Sequence, residues 1–262
     1  MKVAPARSRE RRSVQSVDRA LDLLEALAGS DGEVTITSLA ARTGLHVSTA
    51  HRLLATLLRR SYVRQNPDTS RYYAGPKLAV LAEGRSRFGE LRLRARSVLH
   101  ALAESTRETA NLSVLDDTAA VYLETVPGPQ VVRLFTTVGN RVPLHATGAG
   151  KALLAWLPLP RREALLERIE LHPHTAHTIA DFGTLRKALE EIRERGYAID
   201  DEEFFDGVRC IAVPVGPLGA PVAAISVSGP ASRLGRPRLG ELAPLLRRCA
   251  GELAESLRER AT

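Results

Sequence analysis

Ala40-Ala41-Arg42-Thr43-Gly44-Leu45, followed at once by Ser48-Thr49-Ala50-His51-Arg52-Leu53-Leu54, decides how the first third of this chain is read. The spacing predicts a short helix over 36–43, capped by Thr35 and turning Leu39 and Ala40 inward. Gly44 then supplies the positive φ of a tight turn. A second helix over 46–60 places Ala50, Leu53, Leu54, Leu57 and Leu58 on one face and leaves Ser48, Thr49, His51, Arg52 and Thr56 pointing outward. Two helices about a tight turn, the second exposing hydrogen-bonding groups near its start, have the form of a helix-turn-helix, whose second helix enters the DNA major groove N-terminus first. Arg suits bidentate bonding to guanine, and Ser, Thr and His can bond base edges or phosphates.

Working outward, Val17, Ala20, Leu21, Leu24, Leu27 and Ala28 recur at helical intervals over 16–28 and predict one buried face, ended by Gly29 and the following turn. Tyr62-Val63-Arg64-Gln65 and Arg71-Tyr72-Tyr73 flank the turn-rich run 66–70, a hairpin of the kind that forms a wing and brings Arg71 to the DNA-binding set. Pro76 fits the first turn of a further helix, which continues past an interruption at Gly84 through Leu91, Ala95, Val98 and Leu102. Residues 1–12 read as a flexible basic arm.

Charge supports this reading of the N-terminal third. Residues 1–77 hold 13 Lys/Arg against 7 Asp/Glu, whereas residues 78–262 hold 24 against 23, so nearly all of the net +7 sits in the first third. A basic module on a near-neutral remainder suits a partner with a phosphate backbone; a solvated Arg-rich surface is the plainer alternative. The 262-residue length suggests two domains, and 44% hydrophobic with 26% charged residues excludes a disordered or fibrous chain. No apolar run reaches the ~18–20 residues of a membrane span, and the N-terminus has charge without a signal-like apolar stretch, so a cytoplasmic chain with no membrane partner is expected. Cys210 and Cys249 are too few and too far apart for a disulfide framework or a spaced zinc site.

Beyond Glu108 the period changes to that of strands at 110–115, 120–123 and 131–135, with a hairpin at Asp116-Asp117-Thr118. Helices follow at 150–156, 161–170 and 182–195, then strands near 197–200, 209–215 and 222–228, and a closing helix over 239–260. The pattern is α+β, a sheet flanked by helices.

Three candidate chemistries fail on spacing. Gly148-Ala149-Gly150-Lys151 has His145 where a nucleotide-binding loop needs its first Gly and Ala152 where it needs Ser or Thr. His172, His174 and His177 with Asp181 surround Pro173 in a loop and read as solvated rather than as a metal site. The acidic run Asp200 to Glu203 lacks the spacing of a calcium loop and reads as surface charge or the rim of a pocket. No catalytic residue, cofactor or metal is assigned.

The run Ser16-Val17-Asp18-Arg19-Ala20-Leu21 and the helix-turn-helix ending at Leu54 resemble the opening of the IclR family of transcriptional regulators. The likeness continues through Arg141 to Ala152, Gly196 to Glu203, Gly207-Val208-Arg209-Cys210 and Ser226-Val227-Ser228-Gly229-Pro230. It implies a winged helix-turn-helix over 13–75, a linker helix over 76–90 and a GAF-like effector-binding domain over 91–262, working as a homodimer or tetramer on double-stranded operator DNA. It implies no enzymatic activity. It also implies a small-molecule effector site formed by the loop Gly148-Ala149 with Asp200, Val208, Cys210, Ser226 and Ser228. Backbone N–H groups at a Gly-rich helix start attract anions, and hydroxyls bond carboxylate or keto oxygens. An ionised Asp200 would repel such a ligand unless it caps a donor or is protonated. An enzyme that modifies its ligand and a nonspecific DNA binder are the alternatives: the first would need a nucleophile–base–orienter set, the second would bind without regard to sequence.

Overall fold

The computed structural model describes residues 14–30, 32–83, 87–134 and 136–258. It divides into two compact units, Met1–Ser86 and Arg87–Thr262. The basic arm and the Gly84 interruption lie outside the described residues.

In the N-terminal unit, α1 (Gln15–Ala28), α2 (Ile36–Thr43) and α3 (Val47–Arg59) precede a hairpin of β1 (Val63–Gln65) and β2 (Tyr72–Ala74), then α4 (Pro76–Glu83). Thr35 accepts the Ser38 N–H as the cap of α2, and Gly44 ends it at φ 64°, in the left-handed region that favours glycine. His46, expected as the first residue of α3, is instead its cap, accepting the Ser48 N–H on its side chain. Leu23 and Leu27 of α1, Leu39 and Ala40 of α2, and Ala50, Leu54 and Leu57 of α3 close over Val63 and Tyr72 in one core. The expected buried face of α1 is therefore rotated. Leu23, absent from that face, is fully buried, whereas Val17 and Leu21 are about half exposed, and Ala28 is exposed. Two overlapping apolar stripes run along this helix, and packing against α2 and α3 selects only the one through Leu23 and Leu27.

In the C-terminal unit, β3 (Thr109–Asp116), β4 (Ala119–Val126), β5 (Arg141–Pro143), β6 (Ala198–Asp201), β7 (Val208–Val215) and β8 (Ala223–Pro230) form an antiparallel sheet in the order β5-β4-β3-β8-β7-β6. The helices are α5 (Arg87–Thr106), α6 (Gly148–Trp156), α7 (Leu159–Leu166), α8 (Phe182–Arg195) and α9 (Arg236–Arg258). Leu112, Ile211, Val213, Ile225 and Val227 pack with Leu99 and Leu102 of α5 and Leu239 and Leu246 of α9. Residues of the alternate register, Ala120, Ala212 and Ala224, pack with α6, α7 and α8. The result is the expected sheet flanked by helices.

One expected strand is absent. Residues 131–134 have no ladder partner, and Phe135 lies outside the described residues. Val131 and Val132 are 92% and 69% exposed, past Pro127 and Pro129, which lack the N–H a strand needs. The edge strand is β5 instead, its Val142 opposite Ala120.

The wing is fastened by a residue outside it. Glu33 accepts from Asn66 Nδ2 at 2.6 Å and from Thr69 Oγ1 at 2.8 Å, while Asn66 Oδ1 accepts the Asp68 N–H within the turn. These bonds, that to Asn66 first, hold the Glu33 carboxyl below its usual pKa. A lowered folded pKa means that this contribution is present above the unfolded value and lost as pH falls through the folded one. Glu33→Ala should therefore speed amide exchange at Asp68 and Thr69 at neutral pH while leaving helical dichroism unchanged, and wild type should show the same loosening on acidification. Equal exchange in the two proteins would remove Glu33 from this role.

Candidate functional site

On α3, burial of Ala50, Leu54 and Leu57 turns the opposite side outward, so that Ser48, His51 and Arg52 are exposed and Thr49 is partly so. The Ser48 hydroxyl lies 2.8 Å from His46 Nδ1, which pre-orients it at the start of the helix. Arg71 is exposed in the wing, its backbone N–H held by Thr69 Oγ1. The unit thus presents the five residues expected to meet DNA as one rigid helix face and one fastened hairpin.

In the C-terminal unit the strand register assembles the second site. Asp200 of β6 pairs with Cys210 of β7, and Cys210 pairs with Ser228 of β8. A cavity of about 210 Å³ opens above them, lined by Gly148, Ala149, Asp200, Val208, Cys210 and Ser228 together with Tyr122, Thr136, Phe204 and Phe205. Ser226 does not line it. It sits opposite Ala212, two residue pairs further along the sheet, 1% exposed.

Gly148 and Ala149 are the first turn of α6 rather than a loop, because the Thr147 side chain caps the helix by accepting the Gly150 N–H. First-turn N–H groups have no intrahelical partner, so both are available to an anion. A Cβ on Gly148 would come within 3.1 Å of Cys210 Sγ, a close approach of α6 to β7 in which any larger residue would make the thiol give way by a few tenths of an ångström.

The electrostatics hold the acidic groups of the wall towards their neutral, donor forms, and Arg141 also lines the cavity. Burial raises the Asp200 carboxyl to about 7, although its Oδ1 accepts the Glu203 N–H at 2.7 Å. Burial also raises the Cys210 thiol to about 12, with the Asp200 carboxylate adding to the effect. The Tyr122 hydroxyl is raised by the same desolvation. Asn111 accepts from Thr136 at 2.7 Å and donates to the Ser228 hydroxyl at 3.4 Å, and that hydroxyl in turn hydrogen-bonds the Cys210 thiol.

The acidic run divides in two. Asp200 and Glu203 are buried, whereas Asp201 and Glu202 are bound by Arg209. Glu203 forms a buried ion pair with Lys151, one turn into α6. Asn111, Tyr122 and Phe204 were not assigned to the site by sequence, and Lys151 and Glu203 entered only through the nucleotide-loop pattern and the acidic run, not as a pair. The signal available for the charged pair was a lysine in an otherwise apolar helix.

His172, His174 and His177 are exposed, Asp181 caps α8, and among the described residues no group of three or more His, Cys, Asp or Glu could hold a metal ion. Among the same residues no helix is long and apolar enough to cross a membrane.

A family model described as the IclR helix-turn-helix domain matches residues 16–67, and one described as the bacterial transcriptional regulator IclR C-terminal matches residues 88–255. The chain belongs to the IclR family of bacterial transcriptional regulators. Among the family, the acetate operon repressor of Salmonella typhimurium is 37% identical over 92% of this chain and 89% of its own. The crystal structure of Thermotoga maritima IclR superposes with a TM-score of 0.75 at 30% identity, covering 93% of this chain and 98% of that one. An IclR homolog from Microbacterium hydrocarbonoxydans, complexed with 4-hydroxybenzoate, gives 0.73 at 26% identity over 93% and 99%.

The raised Asp200 pKa carries a stability consequence with a definite sign. A carboxyl whose folded pKa lies above its unfolded value stabilises fully below the unfolded pKa and loses that contribution as pH rises through about 7. Asp200→Asn should therefore be more stable than wild type near about pH 8, by on the order of a few kcal/mol, and by much less near about pH 5. Denaturant titrations of both proteins at the two pH values check this; a difference independent of pH would show that Asp200 is ionised in the fold.

Proposed function

We propose that this family member is a cytoplasmic, ligand-responsive regulator whose effector, a small carboxylate or keto acid, sits in the cavity over β6, β7 and β8. The observation that carries the reading is the cavity wall itself. It sets the N–H groups of the α6 first turn and the Ser228 hydroxyl beside a carboxyl raised to about 7, so that in its protonated form Asp200 can donate a hydrogen bond instead of repelling the ligand. The 4-hydroxybenzoate held by a relative of the same fold supports this class of ligand. Gly148, Ala149, Asp200, Val208, Cys210 and Ser228 would touch it, with Ser226 a packing residue behind them. Cys210, with its thiol near 12, is a poor nucleophile, which favours sensing over catalysis.

The winged helix-turn-helix would read double-stranded operator DNA through Ser48, Thr49, His51, Arg52 and Arg71, with residues 76–90 linking it to the effector domain. The exposed stripe of Val14 at the cap of α1 with Val17 and Leu21 on it, 50–63% exposed and spaced at helical intervals, supports assembly with a second copy of the chain as a dimer or tetramer. Effector binding would shift operator affinity by favouring one conformation of that assembly.

Operator fragments selected from genomic DNA by the purified protein, then titrated with a panel of small carboxylates, test the reading directly. Arg52→Ala should weaken operator binding by about 1–3 kcal/mol, and unchanged affinity at fixed salt would remove it from the DNA-contacting set. Gly148→Val should fill the cavity and abolish the carboxylate response with operator binding retained. Ser228→Ala should weaken effector binding by about tenfold and Ser226→Ala by much less; the reverse order in calorimetry would place the ligand deeper than the cavity.

A further inference from the structure

The N-terminal unit holds a second polar recess, of about 320 Å³, between α1 and the outward side of α3. Gln15, Ser16 and Arg19 line it from α1, and Thr49, Arg52 and Thr56 from α3. The α3 set follows a spacing of three and four residues, one stripe along the helix facing the first turns of α1. Two arginines therefore line one recess with no carboxylate among the described residues of its lining. Asp22 and Glu25, further along α1, line a different groove beside Arg42. Neither Arg19 nor Arg52 has an ion-pair partner among the described residues. Like charges brought together without a counter-charge lose free energy unless an anion joins them, and neutral donors at Ser16, Gln15 and Thr49 surround the place where its oxygens would sit.

The dimensions of DNA identify that anion. A helix with its side chains is about 10–12 Å across, and the major groove is about 12 Å wide, so a helix seated there fills it and its flank meets the sugar–phosphate wall. The flank of α3 that carries Thr49, Arg52 and Thr56 is the one beside α1. We propose that the recess between α1 and α3 seats a phosphodiester of the strand bordering the major groove, with Arg19 as a phosphate-binding residue outside the helix-turn-helix and Arg52 closing the recess from α3. The proposal rests on the DNA-binding reading and extends it to a helix otherwise left as scaffold. A phosphate contact carries no sequence information, so Arg19 supplies affinity and register rather than specificity.

The test uses the full-length chain and two probes, a random-sequence duplex of about 30 base pairs and an operator fragment selected by the wild type, each titrated over a range of potassium chloride concentrations. Arg19→Ala should weaken both by the same factor and lower the slope of log affinity against log salt by about 1. Arg19→Lys should restore the slope, since an ammonium also neutralises a phosphate, and Arg19→Gln with unchanged helical dichroism should behave as the alanine variant does. A wild-type slope in Arg19→Ala and Arg19→Gln overturns the proposal, and so does a loss confined to the operator. Failure of the wild type to bind either duplex would instead overturn the DNA-binding reading itself, so the two failures are distinguishable.

Discussion

The pairing of β7 with its two neighbours is the constraint on which the C-terminal unit depends. Because side chains alternate across a sheet, the register that sets Cys210 opposite both Asp200 and Ser228 puts all three on one face. The other face takes Ile211, Val213 and Val227 into the core under α5 and α9. A slip of one residue would exchange these sets, driving a carboxyl and a hydroxyl into an apolar core and exposing three branched side chains to a polar cavity. Core packing and cavity chemistry are thus fixed by the same hydrogen-bond ladder, and neither can be altered alone.

The α6 side of that sheet is costly to build. Lys151 and Glu203 are both buried, and two charges taken out of water are tolerated only when paired closely. Their pairing ties α6 to the turn after β6, and that same turn bonds the Glu203 N–H to Asp200. Close contact of α6 with β7 at Gly148 then holds the free N–H groups of the helix start over the strand residues. A ligand entering the cavity meets groups already held in place, which lowers the ordering cost of binding.

The N-terminal unit applies the same economy to a surface. A buried core packs α3 against α1 and α2, and the Glu33 carboxylate, with the backbone bridge between Val34 and Tyr72, ties the wing to the loop before α2. Rigid presentation matters because hydrogen bonds to base edges and phosphates are directional, so a loose helix would spread its donors over many geometries.

Local pattern determined much of this protein. The bounds of α2 and α8, the left-handed turn at Gly44, the two-residue hairpin at Asp117 and the outward set on α3 all follow from period, capping and turn chemistry, which act within a few residues. Six residues of the cavity were legible through the resemblance to the IclR family and not through spacing. Tertiary structure decided what depends on partners distant in the chain. It chose Leu23 over Leu21 on α1, because only packing against α2 and α3 distinguishes two apolar stripes. It denied a strand to Val131 and Val132, which lie past Pro127 and Pro129 and find no ladder partner. It buried Asp200 and Glu203 while leaving Asp201 and Glu202 to Arg209, and it withdrew Ser226 from the cavity. A ladder, a counter-charge and a cavity wall each need atoms from segments tens of residues apart, and only the folded chain brings them together.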